Sequence, residues 1–215
     1  MEIMRGYRLE LKLNQSQRVL CAKSAGTARF AYNWKLRILN DEYEKAKAEA
    51  NEGKVKCNFG NSIAWHKEWV LLKQELPWIR ETSKCCGQEA LRDLQTAFQR
   101  FFSKKSGYPR FKKRGQGDSF RLTGSVYIGP DFVQLPNLGK IRLKEKNYPI
   151  LEGKVLLSQA TVSRQVDRWF VSFLLREEIE VPELANINEI EERDILGVDL
   201  GIKELAITSE GETFE

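Results

Sequence analysis

The spacing of the apolar residues changes twice along this chain, and each change constrains the fold. Residues 15–106 carry apolar side chains every three or four positions, as on the buried face of a helix. Residues 5–13 alternate between apolar and polar, and residues 119–175 form short apolar runs separated by Gly, Pro and Asn. Both of the latter patterns are typical of strands. The sequence therefore predicts an α+β protein whose helices occupy most of the N-terminal half.

Three helices are predicted, over residues 15–50, 62–76 and 82–106. Asn14 with Gln17 three positions later is a capping-box-like start for the first helix, and Pro77 ends the second. Aromatic residues recur at helical spacing in all three, for example Phe30 and Trp34 in the first helix. That spacing favours the core of a helical bundle over a platform on which bases stack.

Short strands are predicted at 119–122, 126–128, 132–135, 140–143, 154–157, 161–166 and 169–175. Six or seven short strands at this spacing indicate a small barrel or sandwich. We expect the isolated strand at residues 5–13 to be the missing member of that sheet. The helices would then be inserted into the barrel.

The composition allows a real core and gives no sign of a membrane protein. Hydrophobic residues make up 41% of the chain, but no apolar run approaches the ~18 residues of a membrane span. The N-terminus lacks the apolar stretch of a signal peptide, so a soluble, cytoplasmic protein is expected. The four cysteines have no CxxC spacing and the single histidine, His66, is expected at the surface, so a zinc site is not predicted.

The charge is unevenly distributed. Residues 1–114 contain 24 Lys and Arg against 12 Asp and Glu, whereas residues 115–215 contain 11 against 18. A basic N-terminal half indicates a polyanionic partner.

The segment at residues 98–114 concentrates this positive charge. It has seven basic residues, no acidic residue and five interleaved aromatic residues. Cations neutralise phosphates and aromatic rings stack on bases, so the segment is predicted to bind nucleic acid. The alternative is a solvated basic turn that joins helix to sheet. The predicted contacts in this segment are Arg100, Lys104, Lys105, Tyr108, Arg110, Phe111, Lys112, Lys113 and Arg114.

One carboxylate, Asp199, is set among Val198, Leu200 and two glycines in the stretch at residues 193–207. The stretch is predicted to form a strand, a glycine-containing turn and a second strand. Asp199 could be an ordinary solvent-facing residue on an edge strand. It could also be a metal or phosphate site, because Gly197 and Gly201 lack the Cβ atom that would keep a ligand away.

Four motifs together resemble one family. They are Tyr7-Arg8-Leu9 with Gln17, Arg29 with Tyr32-Asn33, the Tyr-Pro-Arg-Phe-Lys-Lys-Arg run at 108–114, and Gly-Val-Asp-Leu-Gly-Ile-Lys at 197–203. The chain resembles the OrfB/TnpB-type proteins of insertion sequences, transposon-encoded RNA-guided nucleases similar to type V CRISPR effectors. The resemblance covers essentially the whole chain, and the last two motifs are the specific ones.

The resemblance implies an architecture and partners. Residues 1–13 and 107–182 would form a small β-barrel, the wedge domain, split by a helical recognition lobe at residues 14–106. Residues 183–192 would be an acidic linker, and residues 193–215 the opening of a RuvC-like domain with the RNase H fold. Guide RNA and target DNA are the implied partners, and Arg29, Tyr32 and Asn33 join the implied nucleic-acid contacts.

Asp199 corresponds in this resemblance to the first catalytic carboxylate of a two-metal site that usually holds Mg²⁺. Such a site needs several carboxylate oxygens. The family supplies a further Glu, a further Asp and a four-cysteine zinc ribbon beyond the point where this sequence ends at Glu215. The chain is therefore expected to be truncated after the first RuvC motif, with DNA cleavage lost or dependent on additional C-terminal sequence.

Two other functional hypotheses stay open at this stage. One is a non-enzymatic RNA- or DNA-binding regulator built on the same body. The other is an ATP-binding domain of the sugar-kinase and actin type, which also has an Asp-x-Gly hairpin. That fold places the hairpin near the start of a domain well over 200 residues long, and here too little sequence follows it.

Overall fold

The computed structural model describes residues 1–49, 59–151, 153–179, 196–201 and 205–214. Two compact units are present, one formed by residues 4–177 and the other by residues 1–3 together with 178–215. The predicted acidic linker at 183–192 lies outside the described residues.

Three α-helices are found in the described part of the larger unit. They are α1 (Gln15–Glu49), α2 (Ser62–Glu75) and α3 (Lys84–Phe102), with a 3₁₀ helix at Pro77–Glu81 between the last two. The predicted capping box of α1 is confirmed: Gln17 N donates to Asn14 Oδ1 at 2.8 Å, and Asn14 N donates to Gln17 Oε1 at 3.1 Å. No described helix is long and apolar enough to cross a membrane.

The aromatic stripes pack into the core of a helical bundle, as predicted. Trp69 of α2 is fully buried, and its ring centroid lies 6.0 Å from that of Phe30 and 5.8 Å from that of Trp34 on α1. A Cβ at Gly87 of α3 would lie 2.5 Å from the Trp69 indole, so only glycine allows α3 to approach so closely.

Six strands close into a barrel. They are β1 (Glu2–Lys12), β2 (Ser119–Ile128), β3 (Phe132–Leu135), β4 (Gly139–Leu143), β5 (Val155–Gln165) and β6 (Arg168–Glu178), in the order β1-β4-β3-β2-β5-β6. The pairing of Leu11 with Leu143 joins β1 to β4, so the prediction that the N-terminal strand belongs to the later sheet is confirmed. The three helices follow β1 and precede β2 in the chain.

Side-chain bonds reinforce the pair of strands that closes the barrel. Glu177 of β6 accepts a hydrogen bond from the Tyr7 hydroxyl and pairs with Arg5 of β1 at 3.0 Å. Tyr7 also stacks on Phe173, with ring centroids 5.8 Å apart. A closed barrel leaves no unpaired edge in its sheet.

Four predicted strands are only two strands in the structure, so two predicted breaks were wrong. The predicted strands at 119–122 and 126–128 are one strand, β2, and those at 154–157 and 161–166 are one strand, β5. The register between them shifts from Thr123↔Gln159 to Val126↔Leu157, which places an extra residue in β2. Gly124 adopts φ +90° at this bulge, where the strand continues through the interruption of its apolar pattern.

The smaller unit contains a three-stranded antiparallel sheet. Its strands are β7 (Val198–Asp199), β8 (Ala206–Thr208) and β9 (Thr213–Phe214), paired in chain order. The predicted pairing of two strands around the glycine-containing turn is confirmed for the described residues.

Candidate nucleic-acid interface

Residues 106–118, in the connection from α3 to β2, are bonded along one face of α1; we call this segment the strap. Its three side-chain links are Tyr108 Oη to Asn40 Oδ1 (2.7 Å), the Lys112 backbone to Asn33 (2.8 Å), and Asp118 to Arg29 (2.6 Å). The α1 positions are seven and four residues apart, so they share a face. Because the strap positions rise as the α1 positions fall, the strap runs antiparallel to the helix.

The middle link satisfies both backbone groups of one strap residue. Asn33 Oδ1 accepts from Lys112 N, and Asn33 Nδ2 donates to the Lys112 carbonyl, each at 2.8 Å. At the far end the Asp118 carboxylate also accepts from Gly115 N at 3.1 Å, which closes the last turn of the strap. The backbone path of the strap is therefore fixed by specific bonds.

This anchoring divides the strap cations into two groups. Arg110, Lys113 and Arg114 are exposed. The Lys112 side chain is half-buried, with its ammonium group 4.4 Å from the centroid of the Tyr32 ring, and burial lowers the pKa of Lys112. Tyr32 itself is only 5% exposed. Arg110, Lys113 and Arg114 therefore face solvent, whereas Lys112 packs against Tyr32 and helps to hold the backbone of the strap.

The C-terminus of α3 adds further positive charge beside the strap. Lys105 N donates to Arg100 O at 2.8 Å and Lys104 N to Phe101 O at 2.9 Å, which is the Schellman pattern of helix termination. Lys104 has φ 58°, the left-handed conformation that glycine usually adopts at this position. Arg100, Lys104 and Lys105 are all exposed.

An aromatic cleft lies next to these cations. Its volume is about 540 Å³, and its walls are Asn40, Tyr43, Glu44, Phe59, Phe101, Phe102 and Tyr108. Phe102 is 57% exposed and Tyr43 37%, so parts of both rings face solvent. The hydrogen bond between Tyr108 and Asn40 fixes one wall of the cleft to α1.

The predicted site residues fall into two classes. Arg29, Tyr32, Asn33 and Lys112 have internal partners that build the strap, and any role of theirs in binding nucleic acid stays a prediction. The exposed members are Arg100, Lys104, Lys105, Tyr108, Arg110, Phe111, Lys113 and Arg114. The sequence reasoning missed Asn40 and Asp118 as anchors. Asn40 could have been found, since it lies seven residues from Asn33 on the same helix face.

Asp199 is exposed on β7, an edge strand of the described sheet. Its neighbour Gly197 lies against Ser209, because a Cβ at Gly197 would be 3.4 Å from Ser209 Cβ. A side chain at position 197 would therefore meet Ser209 at an ordinary contact distance, so this packing does not by itself require glycine. Among the described residues no group of three His, Cys, Asp or Glu side chains could hold a metal ion. Asp199 alone does not make a Mg²⁺ site, since hard cations need several oxygen ligands.

The N-terminal part of the chain matches the model of a known protein family. The family model for the helix-turn-helix domain of OrfB proteins of IS605 matches residues 1–48. In the structure these residues form β1 and almost all of α1, a single continuous helix from Gln15 to Glu49, so the matched region contains no turn between two helices.

Two relatives align with nearly the whole chain. "Putative RNA-guided DNA endonuclease InsQ" of Escherichia coli K12 is 27% identical over 100% of this chain and 50% of its own length. "Putative RNA-guided DNA endonuclease" of Streptomyces pristinaespiralis is 29% identical over 98% of this chain and 49% of its own length. The chain therefore spans about half the length of the curated relatives it matches. The N-terminal match and these two alignments show that the chain is similar to the OrfB/TnpB-type proteins of insertion sequences.

Proposed function

We propose that this protein binds guide RNA and target DNA as an insertion-sequence-encoded member of the RNA-guided DNA endonuclease family. The observation that carries the proposal is the strap, which holds Arg110, Lys113 and Arg114 exposed on a backbone bonded to α1. Exposed cations neutralise phosphates and release counterions, which supplies most sequence-independent affinity for nucleic acid.

The geometry favours this function over a merely solvated turn. A turn that only connects α3 to β2 needs no fixed path, yet the strap is bonded to α1 at three separated points. Fixing the backbone beforehand lowers the entropy lost when phosphates are bound. Two of the three exposed cations are arginines, whose planar guanidinium groups bind phosphate in a bidentate manner.

The proposal includes an assignment of the domains. The closed barrel is proposed as the wedge domain and α1 to α3 as a recognition lobe inserted into it, which the position of the helices between β1 and β2 supports. The antiparallel order β7-β8-β9 supports residues 193–215 as the opening strands of a RuvC-like domain. Asp199 is proposed as one carboxylate ligand of a Mg²⁺ site, with DNA cleavage requiring carboxylates beyond it.

The test of nucleic-acid binding uses two variants with the same loss of charge. The strap variant replaces Arg110, Lys113 and Arg114 with Gln. The control variant replaces Lys67, Arg142 and Lys146 with Gln; these residues are exposed on α2 and the barrel. Affinity of the full chain for single-stranded RNA and for duplex DNA is measured as a function of salt concentration.

The strap variant should bind the RNA and the DNA more weakly than the wild type. The slope of log affinity against log salt should fall by about one for each cation that contacts phosphate. The control variant should keep most of the slope. Equal slopes in the wild type and the strap variant would show that the strap is only a solvated turn. Equal losses in both variants would show that affinity follows net charge and not this site.

A further inference from the structure

We propose that the aromatic cleft between α1 and the end of α3 takes one unstacked nucleobase of a single-stranded RNA. This inference rests on the proposed function, because the strap would hold the RNA backbone that delivers the base. It adds a specific contact to what is otherwise binding through charge.

The lining of the cleft has the chemistry that a base requires. Five of the seven wall residues within the described part of the chain are aromatic: Tyr43, Phe59, Phe101, Phe102 and Tyr108. Its volume of about 540 Å³ falls within the usual range for small-ligand pockets. Every nucleobase offers a flat face, so aromatic walls bind bases of any sequence.

The rings of the cleft pack against one another. Phe59 lies 5.4 Å from Phe102 and 6.5 Å from Tyr43, measured between ring centroids. Tyr108 contacts Phe101 at 5.2 Å with nearly perpendicular planes. A base entering this cleft meets walls held by their mutual packing, which lowers the entropic cost of stacking.

The charges around the cleft complement a nucleotide. Lys104 and Lys105 lie two and three residues after the wall residue Phe102 and are exposed, so they can bind the phosphates that flank the base. An apolar partner, such as a hydrophobic peptide, would leave these cations without a counter-charge. The strap continues from the same point with three more exposed cations.

Glu44 favours RNA over DNA. A carboxylate in a nucleotide pocket repels phosphate, so it fits only where the ligand offers a hydrogen-bond donor. The N–H and amino groups of bases are such donors in both RNA and DNA. The ribose 2′-hydroxyl is a further donor that RNA alone has, and proteins distinguish RNA from DNA by it. The cleft is therefore assigned to an unpaired ribonucleotide whose hydroxyl donates to Glu44.

The experiment replaces one ring of the cleft in the full chain. Phe102→Leu removes the aromatic face and keeps an apolar side chain, whereas Tyr148→Leu removes an equally exposed ring on a loop of the barrel. Affinity is measured for a short single-stranded RNA of mixed sequence and for the matching DNA. The same RNA carrying 5-iodouridine is irradiated, and crosslinked side chains are identified by mass spectrometry.

We expect Phe102→Leu to weaken RNA binding about tenfold with an unchanged salt slope, since stacking contributes no counterion release. Tyr148→Leu should bind like the wild type, and crosslinks should map to Tyr43, Phe102 or Tyr108. Glu44→Leu should narrow the difference in affinity between RNA and DNA.

The outcomes separate this proposal from the one on which it rests. If Phe102→Leu binds like the wild type while the strap variant binds weakly, the strap function stands and the cleft assignment fails. If neither variant differs from the wild type, both proposals fail. Equal affinity of the wild type for RNA and DNA would overturn the assignment to RNA, and crosslinks confined to the barrel would overturn the cleft itself.

Discussion

Asn33 and Lys112 lie 79 residues apart in sequence and are joined by a reciprocal pair of hydrogen bonds, each 2.8 Å long. The Asn33 carboxamide supplies a donor and an acceptor to one peptide segment, as a neighbouring strand would. Because α1 is rigid, this pair fixes where the basic strap leaves the helical bundle. The positions of the strap cations therefore depend on an uncharged residue.

Asn33→Ala should weaken nucleic-acid binding although it removes no charge. The substitution leaves the partly buried N–H and C=O of Lys112 without their partner, which should cost about 1–3 kcal/mol of unfolding free energy. Urea denaturation measures that loss, and trypsin should cleave more rapidly after Arg110 and Lys113. Gln99→Ala, on the exposed face of α3, is the control. Unchanged affinity and unchanged cleavage would show that the strap holds its path without Asn33.

Lys104→Gly should stabilise the protein and weaken binding at the same time. Lys104 adopts φ 58° at the end of α3, a conformation that costs a side-chain-bearing residue about 1 kcal/mol relative to glycine. Glycine should recover that free energy and remove one cation. Lys105→Gln removes the same charge at a residue without positive φ, so its unfolding free energy should stay close to that of the wild type. A destabilised Lys104→Gly would contradict the strain argument.

The Arg29–Asp118 ion pair allows the internal role of Arg29 to be separated from a contact with nucleic acid. The two side chains are 2.6 Å apart and only 24% and 11% exposed. If Arg29 acts through Asp118, Arg29→Gln and Asp118→Asn should lower affinity equally, and the double variant should be no worse than either. A greater loss in Arg29→Gln, accompanied by a lower salt slope, would instead show that Arg29 contacts phosphate directly.

Local patterns in the sequence predicted the elements well. The start of α1 depends on Asn14 and Gln17, which are three residues apart, and alternation alone marked β1 as a strand that needs a sheet. The bulge at Gly124 was missed because a glycine and two polar residues interrupt the apolar pattern there. A turn between two separate strands would interrupt the pattern in the same way. The alternation of apolar residues shows which face of a strand is buried, and a bulge shifts that alternation by one residue within the strand.

The candidate site was only partly predictable, for a different reason. The basic and aromatic composition of residues 98–114 is visible in the sequence, but the anchors Asn33 and Asn40 are separated from it by α2 and most of α3. Likewise, Tyr43 and Phe102 form one cleft only once α1 and α3 have packed together. Contacts between distant segments follow from the three-dimensional packing, so a pattern within one segment cannot show them.

His66 should titrate below the ordinary value of 6.5. Burial is the main cause of its lowered pKa, and Lys73 and Arg92 add repulsion. It is the one histidine in the chain, so its ring resonance in an NMR titration is unambiguous. The unfolded chain binds a proton more readily than the folded protein between the lowered pKa and 6.5, so stability should rise with pH in that window. His66→Gln should remove this part of the pH dependence. A midpoint at or above 6.5 would contradict the prediction.

Asp199→Asn should leave the folded protein and its affinity for RNA unchanged. The side chain is exposed on an edge strand, and exposed substitutions of this kind usually alter stability by less than about 0.5 kcal/mol. Glu210→Gln changes the charge equally on an exposed residue of the same unit and is the control. Guide-directed cleavage of DNA in the presence of Mg²⁺ is the decisive measurement, because it requires a carboxylate at the metal and RNA binding does not. Loss of cleavage in Asp199→Asn alone would support the metal-ligand assignment, and cleavage that survives in Asp199→Asn would exclude it. Because cleavage requires carboxylates beyond Asp199, guide-RNA binding without cleavage in the wild type is expected both of this chain alone and of a non-enzymatic regulator, so only observed cleavage separates the two.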